Sequence, residues 1–224
     1  MTIPVVIAAR LGSSRLPNKL MLDLGGIPVI EHVVKRCEHF GFKPHICCNF
    51  EEDVRAFEEV SSCLDVFGTT ASVETALLEC ASHYDLRVFH QIDADDPFFD
   101  RDMVMESLQC FRRAPFSRVR PSVYSQAGTG LVGTSYHLDA KEKREEILPD
   151  PARMVWPLRL TLDYPEDYHL LLAVNRMVGG YMAPRCAVDA LFVNNPDLHK
   201  INYFRNSEWK ARQESERYSR PVRE

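Results

Sequence analysis

The sequence lacks long apolar runs, paired cysteines and an excess of positive charge. No apolar run approaches the roughly 20 residues that a membrane-spanning helix needs, so we expect no membrane segment. Asp and Glu number 32 against 27 Lys and Arg, which gives a formal net charge of −5. This balance excludes the broad basic surface of a nucleic-acid-binding protein.

The seven cysteines do not have the spacing of a metal site or of a disulfide framework. No two of them form a Cys-x-x-Cys pair and no histidines cluster around them, so a zinc site is not expected. Their number is odd and most lie in apolar stretches, which predicts buried, reduced thiols. The opening Met-Thr-Ile-Pro also lacks the basic residues of a secretory signal, and together these features predict a cytoplasmic protein.

Short apolar runs alternate with amphipathic segments as far as residue 112. Ile3–Ala9 is a continuous apolar run rich in β-branched residues, as is typical of a strand buried on both faces. Further strands are predicted at 45–48, 65–67 and 86–92, and helices at 29–37, 51–59, 73–84 and 101–112. This alternation predicts a Rossmann-like, three-layer α/β/α fold with a mostly parallel central sheet.

The pattern changes after Pro115. Residues 116–137 read as extended segments interrupted by glycines, and residues 139–157 are charged and contain three prolines. We therefore predict a single domain over 1–224 with a small inserted β lobe at 113–157. The elements predicted beyond this lobe are a strand at Leu158–Leu162, helices at Pro165–Val178 and 184–193, and a polar C-terminal arm at 205–224.

A basic turn follows the first predicted strand. The stretch "ARLGSSRLPNK", from Ala9 to Lys19, holds three cations, two serines and one glycine. Ligands of open parallel sheets bind at the carboxyl ends of strands, and small residues let backbone N–H groups approach a phosphate. Arg10, Arg15 and Lys19 would add the positive charge that suits a polyphosphate. The turn contains neither the P-loop nor the dinucleotide-binding pattern, so a solvated basic loop is the alternative interpretation.

Acidic residues gather where the strand predicted at 86–92 ends. Asp93, Asp95, Asp96 and Asp100 place four carboxylates close together in sequence. Because crowded carboxylates repel one another, a bound cation is their natural partner. The alternative is a helix start that Asp100 caps, and the two interpretations are compatible. In the same way, Ser72 is predicted to cap the helix that follows it.

The stretch "ARLGSSRLPNKLMLDLGGIPVIEHV" resembles the opening of the nucleotide-sugar cytidylyltransferases, a group that includes CMP-Kdo synthetases, CMP-sialic acid synthetases and SpsF-like spore-coat polysaccharide proteins. Their shared form is roughly A-R-x-G-S-x-R-L-P-x-K followed by a Gly-x-Pro segment and a His. The matching positions are Arg10, Gly12, Ser13, Arg15, Leu16, Pro17, Lys19, Gly26, Pro28 and His32. The resemblance covers residues 3–112 and 156–178, whereas 113–155 match poorly.

The resemblance implies a GT-A-like fold and a reaction in which CMP passes from CTP to a 2-keto-3-deoxy sugar acid, with Mg²⁺ as cofactor. The stretches "QIDADDP" and "RLTLDYPED" are similar to two further strand ends of the family. They imply Asp95 and Asp163 as metal ligands, and Arg15 and Lys19 as catalytic cations beside them. Capping of the following helix is the alternative for Asp163.

Other site residues are implied by the resemblance alone. The nucleotide-binding set is Ala8, Ala9, Arg10, Gly12, Ser13, Ser14, Arg15, Lys19, Thr70, Gln91 and Asp93. The acceptor-binding set is Gln126, Tyr136, His137 and Arg159, for which a purely structural role is the alternative. The family also implies a homodimer that assembles through the inserted lobe, and a place in bacterial surface glycan biosynthesis.

Other functions are compatible with the same residues. Asp93-Ala94-Asp95 has the Asp-x-Asp form of a GT-A-like glycosyltransferase, although such an enzyme has no triphosphate for the basic turn to hold. A non-catalytic binding protein on the same fold would not need Arg15, Lys19, Asp95 and Asp163 together. For a nucleotidyltransferase, the acceptor could instead be a phosphonate or a phosphorylated polyol, and the base could be uracil or guanine.

Overall fold

The computed structural model describes residues 2–122, 129–149 and 157–219. The strands are β1 Ile3–Ala9, β2 Phe42–Cys48, β3 Val66–Gly68, β4 Val88–Asp93, β5 Arg118–Pro121, β6 Thr134–His137 and β7 Glu145–Leu148. The α-helices are α1 Val29–His39, α2 Glu51–Val60, α3 Val73–His83, α4 Arg101–Arg113, α5 Pro165–Val178, α6 Arg185–Asn194 and α7 Arg205–Ser219. All seven strands join one sheet, in the order β3-β2-β1-β4-β6-β5-β7.

The first half of this sheet is parallel, as the alternation of strands and helices predicts. β1 lies between β2 and β4 and pairs with both in parallel, and β3 extends β2 in the same direction. Val5, Val6 and Ile7 of β1 are completely buried, because helices cover both faces of the central strands. Val5 and Ile7 belong to one apolar core, and Val6 joins Phe89 in a second core on the opposite face. The α/β fold class is confirmed.

The described part of residues 113–157 extends the same sheet. β6 runs antiparallel to β4, β5 runs antiparallel to β6, and β7 pairs with β5 in parallel. The extended conformation predicted here from sequence is therefore confirmed for β5 and β6. Gly133 lies where β6 meets β4, and a Cβ at this position would come within 1.8 Å of the Gln91 carbonyl oxygen. The sheet thus needs a glycine here, whereas the division into a core and a lobe stays a prediction.

The prediction of a strand at Leu158–Leu162 is wrong. These residues form no regular element, although Leu158, Leu160 and Leu162 are completely buried. The amide of Leu162 donates to the carbonyl oxygen of Asp95 at 2.8 Å, so the segment is fixed to the loop after β4 and pairs with none of the described strands. It carries the chain directly to the carboxyl edge of the sheet.

Helix ends follow the predicted capping. The Ser72 hydroxyl accepts from the amide of Thr75 at 3.4 Å, and the Asp100 carboxylate accepts from the amides of Asp102 and Met103. Both caps satisfy amide groups that have no partner within the helix.

All seven cysteines are free thiols, and six of them are buried while Cys186 is exposed. The burial predicted for most of the cysteines is confirmed. Over residues 2–122, 129–149 and 157–219, no helix combines the length and the apolar composition that a bilayer crossing requires.

Candidate functional site

The basic turn and the acidic segment lie side by side because β1 and β4 are parallel neighbours. Ala8 and Asp93 are paired residues in the register of these strands, and the amide of Ala94 donates to the carbonyl oxygen of Ala8 at 3.0 Å. Both strands therefore end at one edge of the sheet. This edge is the expected ligand-binding edge of an open parallel sheet.

Lys19 joins three separate chain segments at this edge. Its ammonium donates to the carboxylate of Asp95, to Oδ1 of Asp163 at 3.0 Å and to the carbonyl oxygen of Leu162 at 2.8 Å. Only 6% of the residue is exposed. Three acceptors satisfy all three N–H donors of the ammonium, which a buried lysine requires. Lys19, Asp95 and Asp163, predicted from separate motifs, are thus brought together.

Both members of the buried pair are held in their charged forms. Burial alone would lower the pKa of Lys19, but the Asp95 and Asp163 carboxylates outweigh it and raise the pKa above 10.5. Burial alone would raise the pKa of Asp163, but Lys19 and Arg15 outweigh it and lower the pKa below 3.8. At neutral pH the site therefore presents compact, fixed charge on both partners.

Arg15 reaches the same carboxylate from the basic turn. Its Nη2 lies 2.5 Å from Oδ1 of Asp163, and its guanidinium stands 5.3 Å from the centre of the Tyr164 ring. Arg159 and Arg205 also face this ring, at 5.6 and 4.8 Å. The electron-rich face of an aromatic ring attracts cations, so the Tyr164 ring favours all three guanidinium groups, and those of Arg15 and Arg159 also pair with Asp163.

The structure places Arg159 in the interior, where the predicted contact with the acceptor has no accessible surface. Its side chain is completely buried, and its Nε and Nη2 donate to the Asp167 carboxylate at 2.8 and 3.0 Å. Asp167 in turn accepts from the amides of Asp163 and Tyr164, both at 2.9 Å. No surface of Arg159 is left for a substrate. Arg159 therefore contacts Asp163 in two ways, through Asp167 and directly between Nη2 and Oδ2 at 3.6 Å.

The acidic segment after β4 forms a cluster suited to a cation. Asp93, Asp95 and Asp96 each offer a carboxylate oxygen, and these oxygens lie within 4.8 Å of one another. Asp93 keeps solvent access, yet desolvation by the surrounding protein atoms and the charge of Asp95 raise its pKa to about 7. Burial and the neighbouring carboxylates also raise the pKa of Asp96 well above its usual value. Such hard oxygen donors fit a divalent cation like Mg²⁺.

Asp163 lies outside this three-carboxylate cluster and faces Asp95 across the Lys19 ammonium. The two aspartates are therefore neighbours, as their assignment to one metal requires. Their role as the metal ligands stays a prediction.

Asp53, a residue that the sequence motifs do not identify, anchors the backbone of the basic turn. The Asp53 carboxylate is buried and accepts from the amide of Leu11 at 2.9 Å. Within the turn, the Ser13 hydroxyl accepts from the amide of Leu16 at 3.4 Å. Arg10, Gly12 and Ser14 are exposed at its surface. In the sequence, Asp53 shows only as an acid in the first turn of α2, which is the ordinary place for one.

The remaining nucleotide-binding candidates lie along the same edge. Ala8 and Ala9 end β1, and Thr70 is exposed in the loop after β3. The Gln91 amide donates to Oδ1 of Asp93 at 2.6 Å, so these two side chains share one face of β4.

The acceptor-binding candidates separate into two groups. Tyr136 stacks on Phe89 with ring centres 5.0 Å apart, which places it on the face of the sheet that carries Gln91 and Asp93. His137 packs against Phe111 of α4 on the opposite face, because successive strand residues point in opposite directions. His137 therefore lies on the face of the sheet opposite to Gln91 and Asp93, which contradicts its predicted place in the acceptor site. Gln126 lies outside the described residues.

Residues 128–133 have the G-x-G-x-x-G spacing of a dinucleotide-binding loop, but their context differs. The described part leads into β6, whereas the dinucleotide loop opens a helix. Gly130 has a φ of +64°, and a Cβ there would lie 2.8 Å from Oδ1 of Asp96. This glycine therefore serves the close packing of the loop against the acidic segment.

Comparisons with known sequences identify the family. The sequence model described as "Cytidylyltransferase" matches residues 4–132, which is more than half of the chain. The 3-deoxy-manno-octulosonate cytidylyltransferase of Idiomarina loihiensis is 33% identical over 131 residues, or 52% of this chain and 49% of its own. The enzyme of the same description from Geobacter metallireducens is 27% identical over 116 residues, or 48% and 44%. The chain spans about half the length of these curated relatives.

Solved structures show the same fold over a longer range. A cytidylyltransferase from Leptospira borgpetersenii has a TM-score of 0.74 at 18% identity, with 88% of this chain and 96% of that chain covered. A CMP:2-keto-3-deoxy-manno-octonic acid synthetase complexed with CTP has a TM-score of 0.57 at 17% identity, with 79% and 99% covered. Together, the matching family model, the shared fold and the juxtaposed Lys19, Asp95 and Asp163 show that this chain belongs to the cytidylyltransferase family.

Proposed function

We propose that this protein transfers CMP from CTP to a hydroxyl group of a small acidic sugar, of the 2-keto-3-deoxy sugar acid class, and releases pyrophosphate. The observation that carries the proposal is the contact of Lys19 with both Asp95 and Asp163, directly beside the basic turn. The names of the curated relatives support the choice of CTP and of a sugar acid.

The reaction exchanges one phosphorus–oxygen bond for another. The acceptor oxygen attacks the α-phosphorus of CTP and forms a new P–O bond. The bond between the α-phosphorus and the oxygen that bridges it to the β-phosphorus breaks. Pyrophosphate leaves with the bonding electrons, and the hydroxyl proton passes to water. Such a transfer needs positioning and charge stabilisation more than covalent chemistry from the protein.

The cations of the turn supply that charge stabilisation. Lys19 and Arg15 pair with Asp95 and Asp163 where the turn meets the aspartates, and we propose that the triphosphate binds beside these charged pairs. The exposed backbone at Gly12 and Ser14 offers further donors to phosphate oxygens. The buried thiols need no role in this chemistry, and Asp53 and Asp167 keep the turn and Asp163 in place.

The acidic residues would hold the metal ion. Asp95 is the central candidate, with Asp93 and Asp96 beside it and Asp163 on the other side of Lys19. Held by these carboxylates, a Mg²⁺ ion would supply positive charge to the phosphate oxygens and would lower the pKa of the acceptor hydroxyl.

The acceptor is proposed to lie beside Gln91 and Tyr136, which are half-buried on the face of β4 and β6 that also carries Asp93. Arg118 lies on this side as well, since its charge acts on the Tyr136 hydroxyl. We further propose a homodimer that assembles through residues 113–157, a cytoplasmic location and a role in surface glycan biosynthesis. Six buried thiols suit a reducing compartment.

The test is pyrophosphate release by the purified protein with Mg²⁺, each nucleoside triphosphate in turn and a panel of sugar acids. Release that requires CTP together with one sugar acid supports the proposal. Release with CTP and only a phosphonate or phosphorylated polyol would keep the nucleotide and replace the acceptor class. Absence of both release and CTP binding would overturn the proposal, and transfer of sugar from a finished nucleotide sugar would favour a glycosyltransferase.

A further inference from the structure

The C-terminal helix α7 is anchored to the wall of the site. At its first residue, Arg205 pairs with Glu166 at 2.8 Å and with Glu208 at 2.6 Å, and its guanidinium lies over the Tyr164 ring. The next residue, Asn206, is buried and accepts from Nη1 of Arg159 at 2.9 Å. The start of α7 is therefore tied to the residues that position Asp163.

From this anchor the helix runs to the basic turn. Arg205, Trp209 and Arg212 are spaced at i, i+4 and i+7, so they lie on one face of α7. Nη2 of Arg212 donates to the hydroxyl of Ser14 at 3.4 Å, although 198 residues separate the two in sequence. Lys210 is exposed and lies two residues from Arg212, which turns it to a different side of the helix.

The charge balance of the site leaves room for a further cation. The positive charges of Arg15 and Lys19 are matched by Asp163 and Asp95, and Asp93 adds a carboxylate beside them. A nucleoside triphosphate carries several negative charges, so it needs cations beyond this neutralised group, and the exposed Arg10 is one that the turn itself offers. Arg212 brings a guanidinium to the exposed hydroxyl of the same turn.

We propose that Arg212 binds phosphate oxygens of the nucleoside triphosphate and that α7 forms one wall of the nucleotide site. This inference rests on the proposed function, because it assigns Arg212 to the triphosphate of that reaction. A guanidinium presents several N–H donors in one plane, which suits two phosphate oxygens at once. Arg212 is thus a nucleotide-binding residue that the amino-terminal motifs do not contain.

The experiment measures the Kd of CTP with Mg²⁺ for the wild type and for Arg212→Ala, Arg212→Lys and Lys210→Ala. Loss of one charge-assisted contact should weaken CTP binding about 5- to 30-fold in Arg212→Ala. Arg212→Lys should fall between Arg212→Ala and the wild type, since it keeps the charge without the planar fork. Lys210→Ala, the matched control on the same helix, should stay within about twofold, as expected for a screened surface charge.

Two results would overturn the inference alone: unchanged CTP binding in Arg212→Ala, or an equal loss in Lys210→Ala. The thermal midpoint of each variant is measured first, and Arg212→Gln replaces Arg212→Ala if the latter does not fold. In steady-state assays, the KM for CTP should rise in Arg212→Ala with little change in kcat. If the wild type itself fails to bind CTP, the proposed function fails, which distinguishes the two cases.

Discussion

The ammonium of Lys19 donates to Oδ1 of Asp163 at 3.0 Å, although 144 residues separate them in sequence. The same ammonium contacts Asp95, so one side chain connects the turn after β1, the loop after β4 and the segment before α5. Side-chain exposure is 8% for Lys19 and 6% for Asp163, which limits screening by water. The contact therefore matters for stability as well as for charge in the site.

Replacement of Lys19 by Ala should reduce both stability and activity. Asp163 would keep only its arginine partners and Asp95 would lose its ammonium, so we expect the free energy of unfolding to fall by about 2–4 kcal/mol. The kcat/KM for CTP should fall at least ~10²-fold, the usual cost of a key electrostatic contact. Urea denaturation and pyrophosphate release measure the two effects.

The matched control for this prediction is Lys43→Ala. Lys43 also pairs with an aspartate, Asp65, at 2.7 Å, but 56% of its side chain is exposed. A surface pair of this kind contributes about 0–1 kcal/mol, so stability and activity should both stay close to the wild type. Unchanged kinetics in Lys19→Ala would contradict its place in the phosphate site.

Asp95→Asn should lower kcat by roughly 10²-fold or more, since it removes the central carboxylate of the proposed metal site. The variant should also need a higher Mg²⁺ concentration for half-maximal pyrophosphate release. Asp102→Asn is the control, because Asp102 lies in the first turn of α4 with 85% of its side chain exposed. Near-normal activity of Asp95→Asn at low Mg²⁺ would remove Asp95 from the metal role.

Much of the parallel half of the fold could be predicted from local sequence. The β-branched run of β1 is buried on both faces, and Ser72 and Asp100 cap helices whose starts their positions indicate. Leu158–Leu162 could not be assigned in this way, because complete burial produces the same apolar run with or without a strand partner. Tertiary contacts decide the conformation, among them the hydrogen bonds of Leu162 with Asp95 and with Lys19.

The site likewise contains residues that the sequence motifs identify and contacts that only the structure reveals. Lys19, Asp95 and Asp163 are predicted from motifs, and the structure brings them together. The motif that contains Arg159 gives the residue type but not its direction, and the structure turns that side chain into the core toward Asp167. The support that Asp53 gives to the basic turn depends on a contact across 42 residues, which no local pattern contains.

Two substitutions at Tyr164 should separate the contribution of its ring to stability from that of its hydroxyl. The hydroxyl is buried without a hydrogen-bond partner among the described residues, whereas the ring faces Arg15, Arg159 and Arg205. Tyr164→Phe keeps the ring and should leave the free energy of unfolding within about 0.5 kcal/mol of the wild type. Tyr164→Leu loses the cation–π contacts and should cost about 1–3 kcal/mol.

Urea denaturation of both variants measures this difference, and pyrophosphate release shows whether Arg15 is still in position. Equal losses of stability for Phe and Leu would show that the hydroxyl matters and would contradict the ring-based explanation. A fall in activity confined to Tyr164→Leu would support the role of the ring in holding Arg15.

The pH dependence of stability should show the effect of buried His90. Its Nε2 accepts from the amide of Gly133 at 3.3 Å, and its Nδ1 lies 2.8 Å from the Ser135 hydroxyl, so the neutral ring is satisfied on both sides. Burial lowers its pKa to about 3. The folded state therefore excludes a proton that the unfolded state accepts near pH 6.5. Because protonation favours the unfolded state, His90 lowers the free energy of unfolding as the pH falls from about 6.5 toward 3.

The comparison of wild type with His90→Gln isolates this group from others that titrate nearby. Asp93, whose pKa is raised to about 7, acts in the opposite sense, because its folded form takes up a proton first as the pH falls. Its effect cancels in the difference between the two proteins, as does that of Asp163, which titrates below 3.8. The stability advantage of the wild type should shrink by up to about 1.4 kcal/mol per pH unit between pH 6 and pH 4.5. Urea denaturation at both pH values measures it, and an advantage that stays constant would mean that His90 is protonated equally in the folded and unfolded states.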